Sequence, residues 1–138
     1  MRSPRFAPDG SLRAMSDDRL FALRGATSVD VNTEDAILAA TEELMRALLE
    51  RNAREVSQIV SCIFTTTDDL NAAFPAVAAR RLGFDRVPLL CTREIDVPGS
   101  LALVIRVMLH YYAPREHVAK HVYLGAARSL RAALDAAQ

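Results

Sequence analysis

Several features that mark common protein classes are scarce or missing in this 138-residue sequence. Lys and Arg together number 17, as do Asp and Glu, so the formal net charge is zero. This balance excludes the broad basic field of most nucleic-acid binders, although it leaves room for a local cationic pocket. No apolar run approaches the ~20 residues that a membrane-spanning helix needs. We therefore expect a globular chain whose partners are neither nucleic acid nor a membrane.

The first 19 residues also lack the continuous apolar stretch of a secretory signal. Acidic residues at positions 9, 17 and 18 argue against a transit peptide as well. The length fits one domain, since domains usually run ~100–200 residues. We expect a disordered N-terminal extension over 1–19, one domain over 20–130, a flexible tail over 131–138, and a cytoplasmic location.

Cysteine is limited to two residues, and common catalytic motifs are missing. Cys62 and Cys91 each lie in an apolar run, which is typical of buried free thiols in a reducing cytoplasm. A catalytic or bridging pair would need a partner histidine or an oxidising compartment, and neither is indicated. No nucleophilic triad, Gly-rich phosphate loop, paired CxxC motif or HExxH motif is present. The sequence therefore indicates no covalent catalyst and no cofactor.

Two histidines offer the one possible metal site. His117 and His121 are four residues apart, a spacing that can place two ligands on one helical face. The adjacent Glu116 is the one obvious carboxylate nearby, and Tyr123 already belongs to a strand pattern. We interpret the two residues as exposed loop histidines, and a metal site stays the less favoured alternative.

Hydrophobic periodicity predicts five strands and two helices. The clearest element is a helix over 34–52, where Thr33 can cap the start and apolar residues recur at helical spacing. A second, shorter helix begins at Pro75 and ends before Gly83. Strands are predicted at 20–28, 56–65, 86–92, 104–112 and 121–127, with a short helical entry at 100–103. This order predicts a single mixed sheet with the helices on one face.

Several of the predicted strands are apolar on both faces. A sheet that helices cover on one side exposes its other side to water unless a partner covers it. We therefore expect a closed homo-oligomer, with a site built where subunits meet.

Two arginines interrupt otherwise apolar segments. Arg24 and Arg106 each need a partner if buried, because an unpaired buried charge costs several kcal/mol. Glu94 is one possible partner, and a bound carboxylate is another. Taken singly, each arginine is more typical of a strand edge or interface whose charge reaches solvent. Two together indicate a small-anion pocket, to which Tyr123 can donate its hydroxyl, although ordinary packing explains that tyrosine equally well.

Five short segments occur in an order and at separations typical of one family. They are RGAT at 24–27, DLNAAFPA at 69–76, VPLLCTREIDV at 87–97, IRVM at 105–108 and HVYL at 121–124. Over about 20–130, the chain resembles the monofunctional, trimeric AroH-type chorismate mutases. The resemblance implies an α+β fold with a mixed five-stranded sheet and two main helices. It also implies that three copies form a pseudo α/β barrel, with three active sites in the clefts between subunits.

The resemblance implies one reaction, the rearrangement of chorismate to prephenate in phenylalanine and tyrosine biosynthesis. The ether carbon–oxygen bond breaks as a carbon–carbon bond forms, without a covalent catalyst, proton transfer, cofactor or metal. The enzyme must hold the flexible dianion in a compact chair-like arrangement and neutralise the charge that develops on the ether oxygen. Fixed guanidinium donors can do both.

The resemblance also assigns roles to individual residues. Arg106 would contact the ether oxygen and a carboxylate, and Arg24 and Tyr123 would bind the side-chain carboxylate. Glu94 and the backbone around Cys91 would hold the ring hydroxyl. Arg106, Glu94 and Arg24 are thus the expected catalytic residues.

Other residues would line or approach the pocket. Phe74 and Ala76 would line it, with Phe74 reaching from the neighbouring subunit, and Arg80 would steer substrate at its mouth. The full implied set of substrate-binding residues is Arg24, Phe74, Ala76, Arg80, Leu90, Cys91, Thr92, Arg93, Glu94, Arg106, Tyr123 and Leu130.

The sequence departs from the family pattern at two positions. Val77 stands where a basic residue is frequent, and Leu90 stands where a small polar residue is frequent. Val77 could weaken the electrostatic attraction of substrate. Leu90 costs nothing if only the backbone at that position serves, whereas binding drops if a side-chain hydroxyl is needed there. The alternative function is a catalytically silent trimer of the same fold that binds a small anion or regulates. The joint presence of two arginines, Glu94 and Tyr123 favours the enzyme.

Overall fold

The computed structural model describes residues 5–6, 12–13 and 17–130. A long helix, α1, spans Glu34–Arg51, and a short one, α2, spans Pro75–Arg81. In the described part of the chain, neither helix is long and apolar enough to cross a membrane. The strands are β1 (Arg5–Phe6), β2 (Leu12–Arg13), β3 (Asp18–Ser28), β4 (Ile59–Thr66), β5 (Leu89–Arg93), β6 (Val104–Pro114) and β7 (Val122–Leu124).

The main sheet has five strands in the order β5-β4-β6-β3-β7. The central strand β6 runs antiparallel to both β3 and β4, whereas the outer pairs β4–β5 and β3–β7 are parallel. The small strands β1 and β2 pair with each other outside this sheet. The mixed five-stranded sheet with two helices confirms the predicted α+β fold.

The core lies between the helices and one face of the sheet. Burial alternates along β6, as expected when one face of a strand is covered. Ile105, Val107 and Leu109 are buried among the apolar residues of α1 and the neighbouring strands. Arg106 and Met108 lie on the opposite face and are exposed. The sheet therefore has one face covered by helices and one face left open within a single chain.

Helix α1 packs closely against β3 at Gly25. A Cβ atom there would lie 2.9 Å from Cδ1 of Leu48 and 3.1 Å from Cγ1 of Val107. Both neighbours are buried, so they have little room to move aside. Glycine at this position lets α1 pack directly against β3 next to Arg24, and this contact helps to position the strand that carries Arg24.

Helix α1 matches its predicted bounds closely, but several strand bounds differ from the prediction. β3 begins at Asp18, inside the predicted extension over 1–19. The rest of that segment falls mostly outside the described residues, as does the predicted tail over 131–138. Residues Val56–Gln58 form a 3₁₀ turn instead of the start of a strand, because Glu55 and Gln58 cap each other's backbone. A similar turn at Phe84–Arg86 delays β5 to Leu89.

The predicted helical entry at 100–103 is wrong. Leu103 has a positive φ of 54°, and its backbone N–H donates to both carboxylate oxygens of Asp69, at 3.0 and 3.2 Å. A distant side chain thus takes the N–H that a helix would use. The predicted last strand is also shorter, since a 3₁₀ turn at Gly125–Ala127 follows β7.

A compact aromatic cluster ties the loop after β6 to the core. The hydroxyl oxygen of Tyr111 lies 2.7 Å from Nε2 of His117, and the ring of Phe21 contacts both rings. Burial lowers the pKa of His117, and the positive charges of Arg54 and Lys120 lower it further. The lowered pKa favours the neutral ring of His117, whose unprotonated nitrogen can accept a hydrogen bond from the tyrosine hydroxyl.

This depressed pKa predicts that stability falls in mild acid. Below about pH 6.5, the unfolded chain binds a proton at His117 that the folded chain does not yet bind. The free energy of unfolding should therefore fall as the pH decreases through this range. His117→Gln keeps an acceptor for Tyr111 but cannot titrate, so its stability should fall less steeply between pH 8 and pH 5. Urea unfolding of both proteins measures the difference, and equal slopes would contradict it.

Candidate active site

One row of side chains crosses all five strands of the main sheet. Strand register aligns Thr92 on β5, Thr65 on β4, Arg106 on β6, Ala26 on β3 and Tyr123 on β7. Because adjacent strands bring paired residues together on one face, these five side chains share the open face of the sheet.

The next row brings in the second arginine. Arg24 pairs with Met108, which lies two residues beyond Arg106 on β6, and Met108 pairs with Ile63 on β4. Residues two apart on a strand face the same side. The two isolated arginines of the sequence thus lie on the same face, in neighbouring rows of neighbouring strands.

Arg106 is fixed by an ion pair. Its Nε lies 2.7 Å from Oε1 of Glu94, which directly follows β5. The hydroxyl of Thr65 donates to the same oxygen at 2.8 Å. The Arg106 side chain is 44% exposed, whereas that of Glu94 is only 16% exposed. Glu94 is therefore the partner that the isolated Arg106 required, and the terminal nitrogens of the guanidinium remain for a ligand.

These residues line a cavity of about 410 Å³ on the open face. Its polar groups come from both arginines, Glu94, Thr65 and Tyr123, and its walls are otherwise apolar. Five predicted site residues meet here: Arg24, Glu94, Arg106, Tyr123 and Leu130. The arrangement suits a small organic anion, because cationic donors converge in a largely apolar cleft.

Other predicted residues line a second cavity of about 540 Å³. Phe74, Cys91, Thr92 and Arg93 lie there, and the lining shares no residue with the first cavity. Phe74 is 70% exposed at the start of α2. Nε of Arg93 lies 3.2 Å from Oδ1 of Asp68. A single chain thus divides the predicted site residues between two places.

The structure brings three predicted residues into neither cavity. Ala76 is 3% exposed and belongs to the core beneath α2. Arg80 is exposed in the last turn of the same helix. Leu90 is exposed on β5, where it pairs with Ile63.

The histidines and cysteines have other environments. Nδ1 of His121 accepts the backbone N–H of Arg24 at 3.0 Å, while His117 contacts Tyr111. Over the described ranges, no group of three or more His, Cys, Asp and Glu side chains is placed to hold a metal ion. Cys62 and Cys91 are both free thiols, and burial raises the pKa of Cys62. Cys91 is half-buried, not fully buried as predicted.

Sequence reasoning missed Thr65, which faces the cavity and holds Glu94. Nothing in its local sequence distinguishes it from the adjacent Thr66. Only the pairing of β4 with β6 places Thr65 beside Arg106, and strand register between distant segments is not readable from one sequence.

The protein is thus of the α+β class, with a mixed sheet that presents two guanidinium groups, a carboxylate and a tyrosine to one cleft suited to a small anion. Residues 20–134 match the family model described as chorismate mutase type I. A chorismate mutase of Thermus thermophilus is 47% identical over 119 residues, or 84% of this chain and 97% of the relative. One of Bacillus subtilis is 40% identical over 105 residues, or 74% and 82%.

A solved structure agrees with these sequence matches. The chorismate mutase from Clostridium thermocellum superimposes with a TM-score of 0.75 at 48% identity, covering 79% of this chain and 98% of that one. The chain belongs to the type I chorismate mutase family. Its activity is that of an isomerase, and the alternative of a catalytically silent anion binder is not favoured.

The hydrogen bond from Thr65 predicts a measurable effect on activity. Thr65→Val keeps the branched shape but removes the donor to Glu94, so the carboxylate should hold Arg106 less firmly. We expect kcat/KM for chorismate to fall about 3- to 10-fold, the scale of one ordinary hydrogen bond, because Thr65 acts on the substrate only through Glu94 and Arg106.

The matched control is Thr41→Val, since the Thr41 hydroxyl donates to Ile37 within α1, away from the cavity. Steady-state kinetics of both variants and the wild type measure kcat/KM, which should fall in Thr65→Val and stay unchanged in Thr41→Val. Unchanged kcat/KM in Thr65→Val would show that Glu94 needs no support from this hydroxyl.

Proposed function

We propose that this chain converts chorismate to prephenate in the cavity around Arg106, by conformational restriction and electrostatic stabilisation without covalent catalysis. The observation that carries the proposal is the ion pair between Arg106 and Glu94 at 2.7 Å. It fixes a cation on the floor of an apolar-walled cleft, before any substrate arrives. Fixed charge of this kind stabilises a transition state without reorganisation during the reaction.

The reaction needs no nucleophile, acid or base from the protein. In chorismate, the ether carbon–oxygen bond breaks while a new carbon–carbon bond forms within the same molecule, so atoms and electrons balance without a co-reactant. Negative charge develops on the ether oxygen as its bond lengthens. A guanidinium donor beside that oxygen lowers the barrier, and binding the substrate in its compact form removes the entropic cost of finding it.

Arg106 is the donor proposed to contact the ether oxygen. Its guanidinium carries five N–H groups in a planar fork, and its ion pair with Glu94 is made through Nε. The terminal nitrogens can then donate to the ether oxygen and to one carboxylate at once. Lysine could supply the charge but not this fork.

Glu94 is proposed to have a second role. Thr65 and Arg106 both bind its Oε1, so Oε2 can accept the hydroxyl of the substrate ring. The backbone around Cys91 is proposed to assist in holding that hydroxyl. Glu94 thereby links the position of the ring to the position of the guanidinium.

Arg24 and Tyr123 are proposed to bind the side-chain carboxylate. Tyr123 and Arg106 flank Ala26 in the same row, one strand away on either side. The backbones that carry Tyr123 and Arg106 are two strand spacings apart, about 10 Å, which leaves room for a small dianion with one ring. The small side chain of Ala26 keeps the floor between them low.

We also propose that the chain works as a homotrimer, with the open sheet faces turned inward in a barrel-like core. The open face carries exposed apolar side chains that water would otherwise surround, namely Leu20, Ile63, Leu90, Met108 and Tyr112. An apolar surface of this kind is typical of a face that another subunit covers.

Each active site is proposed to combine two chains. The first cavity supplies the ionic half, and the second cavity of a neighbour supplies Phe74. The high exposure of Phe74 supports this division, because a large aromatic side chain gains most by burial against a partner or ligand. Ala76, Arg80, Leu90, Thr92 and Arg93 are proposed as further contributors to the combined site.

We also propose that the chain acts in the cytoplasm and belongs to the pathway to phenylalanine and tyrosine. The two free thiols are typical of proteins in a reducing compartment. Substrate and product are the partners expected besides further copies of the chain, with no cofactor.

Removing the Arg106 guanidinium should abolish most of the rate acceleration. We expect Arg106→Ala to lower kcat by ~10²–10³ or more, the scale for losing one preorganised donor. Arg106→Lys should recover only part of this loss, because a point charge does not replace the planar fork. Loss of chorismate and appearance of prephenate, followed by absorbance, measure both.

Arg46→Ala is the control for loss of an arginine. Arg46 is exposed on α1 and pairs with Glu42 four residues earlier, so its removal should leave kcat unchanged. Near-normal turnover in Arg106→Ala would refute the proposed mechanism.

Mixing inactive variants tests whether the site combines two chains. Phe74→Asp places a carboxylate beside the substrate dianion and should inactivate the enzyme without harming the core. Co-expressed with Arg106→Ala, it should restore roughly one quarter of wild-type activity, because a random trimer then contains some sites with both wild-type halves.

The matched control mixes Arg106→Ala with Glu94→Ala. Both residues belong to the same half of the site, so no combination of these chains gives an intact site and no activity should return. If the first mixture stays as inactive as the second, Phe74 does not come from a neighbouring chain.

A further inference from the structure

We propose that His121 is a positioning residue for Arg24, and that it acts by accepting the backbone N–H of that arginine. The inference rests on the proposed role of Arg24 in binding a substrate carboxylate. Nδ1 of His121 lies 3.0 Å from the Arg24 nitrogen, across 97 residues of sequence. His121 itself does not line the cavity, so it acts on the substrate through Arg24.

The hydrogen bond adds one contact just before the first residue pair of the ladder between β3 and β7. The parallel ladder between β3 and β7 pairs Gly25 with Val122, Ala26 with Tyr123 and Thr27 with Leu124. The N–H of Arg24 lies one residue before this ladder begins. The imidazole nitrogen takes the acceptor place that a strand carbonyl would fill. A neutral ring with its proton on Nε2 is the form that accepts at Nδ1.

The segment before His121 is anchored to α1. Asn52, the C-cap of that helix, is buried, with 3% of the residue exposed. Its Oδ1 accepts the backbone N–H of Lys120 at 2.8 Å, and its Nδ2 donates to the Lys120 carbonyl at 3.0 Å and to that of Leu48 at 2.8 Å. The side-chain amide of Asn52 therefore fixes both the backbone N–H and the backbone carbonyl of Lys120, the residue next to His121.

This arrangement fixes the spacing between two groups proposed to bind one carboxylate. His121 precedes Tyr123 by two residues on the same segment, while its ring holds the backbone of Arg24. The positions of both carboxylate donors, Arg24 and Tyr123, therefore depend on the same anchored segment. Loosening it should cost substrate affinity more than turnover, because neither donor contacts the breaking bond.

Two substitutions separate the hydrogen bond from the volume of the ring. His121→Asn keeps an acceptor oxygen near the place of Nδ1, whereas His121→Leu keeps comparable bulk without any acceptor. We expect His121→Leu to raise KM for chorismate about 5- to 10-fold with kcat within about twofold. His121→Asn should stay within about threefold of wild type in both constants.

If His121→Leu does not fold, His121→Gln replaces it. Its amide oxygen lies near the place of Nε2 rather than Nδ1, so KM should again rise. Equal KM values for the Asn variant and for the variant without an acceptor at Nδ1 would overturn the inference.

The Arg24→Ala background shows whether the effect passes through Arg24. There, His121→Leu should change KM by less than about twofold, since the guanidinium that it positions is gone. A full effect of His121→Leu in that background would mean that His121 acts elsewhere, and would overturn the inference. A wild-type KM in Arg24→Ala itself would instead refute the proposed role of Arg24, and the inference with it.

Discussion

The ion pair between Arg106 and Glu94 is the interaction on which the rest of the site depends. Arg106 comes from the central strand, and Glu94 follows the edge strand β5, so the two meet only if β5, β4 and β6 are in the observed register. Thr65, from the strand between them, completes the contact. A flexible guanidinium on an apolar face would otherwise spread over many rotamers. Held at Nε, it becomes a fixed donor, and a fixed donor is what a rearrangement without proton transfer requires.

The same sheet face explains why one chain holds only part of the predicted site. The charged groups share their cavity on the open face with the apolar side chains of Ile63 and Met108, and Leu20, Leu90 and Tyr112 are exposed outside that cavity. Phe74 and its neighbours line a separate cavity. Assembly of several copies would cover the apolar part and complete the ionic part together. In the proposed homotrimer, stability of the assembly and formation of the active site would therefore depend on the same surface.

Much of this architecture could be predicted from the sequence, since it follows from local patterns. Helix α1 has a capping threonine and a clear apolar stripe, and an arginine alone in an apolar strand needs a partner such as Glu94. The contributions of Thr65 and His121 could not be predicted, because both depend on pairings between distant strands. The error at 100–103 has the same origin, since the carboxylate of Asp69 fixes the backbone of Leu103 from 34 residues away.

Coupling between Arg106 and Glu94 in turnover tests the central claim most directly. The measurement is kcat for the wild type, for each alanine variant and for the double variant. If Glu94 contributes to kcat by holding the guanidinium, Glu94→Ala should lower kcat strongly in the wild type and by less than about twofold once Arg106 is gone. If Glu94→Ala lowers kcat by the same factor in both backgrounds, the two residues act independently, and the fixed guanidinium is not the basis of catalysis.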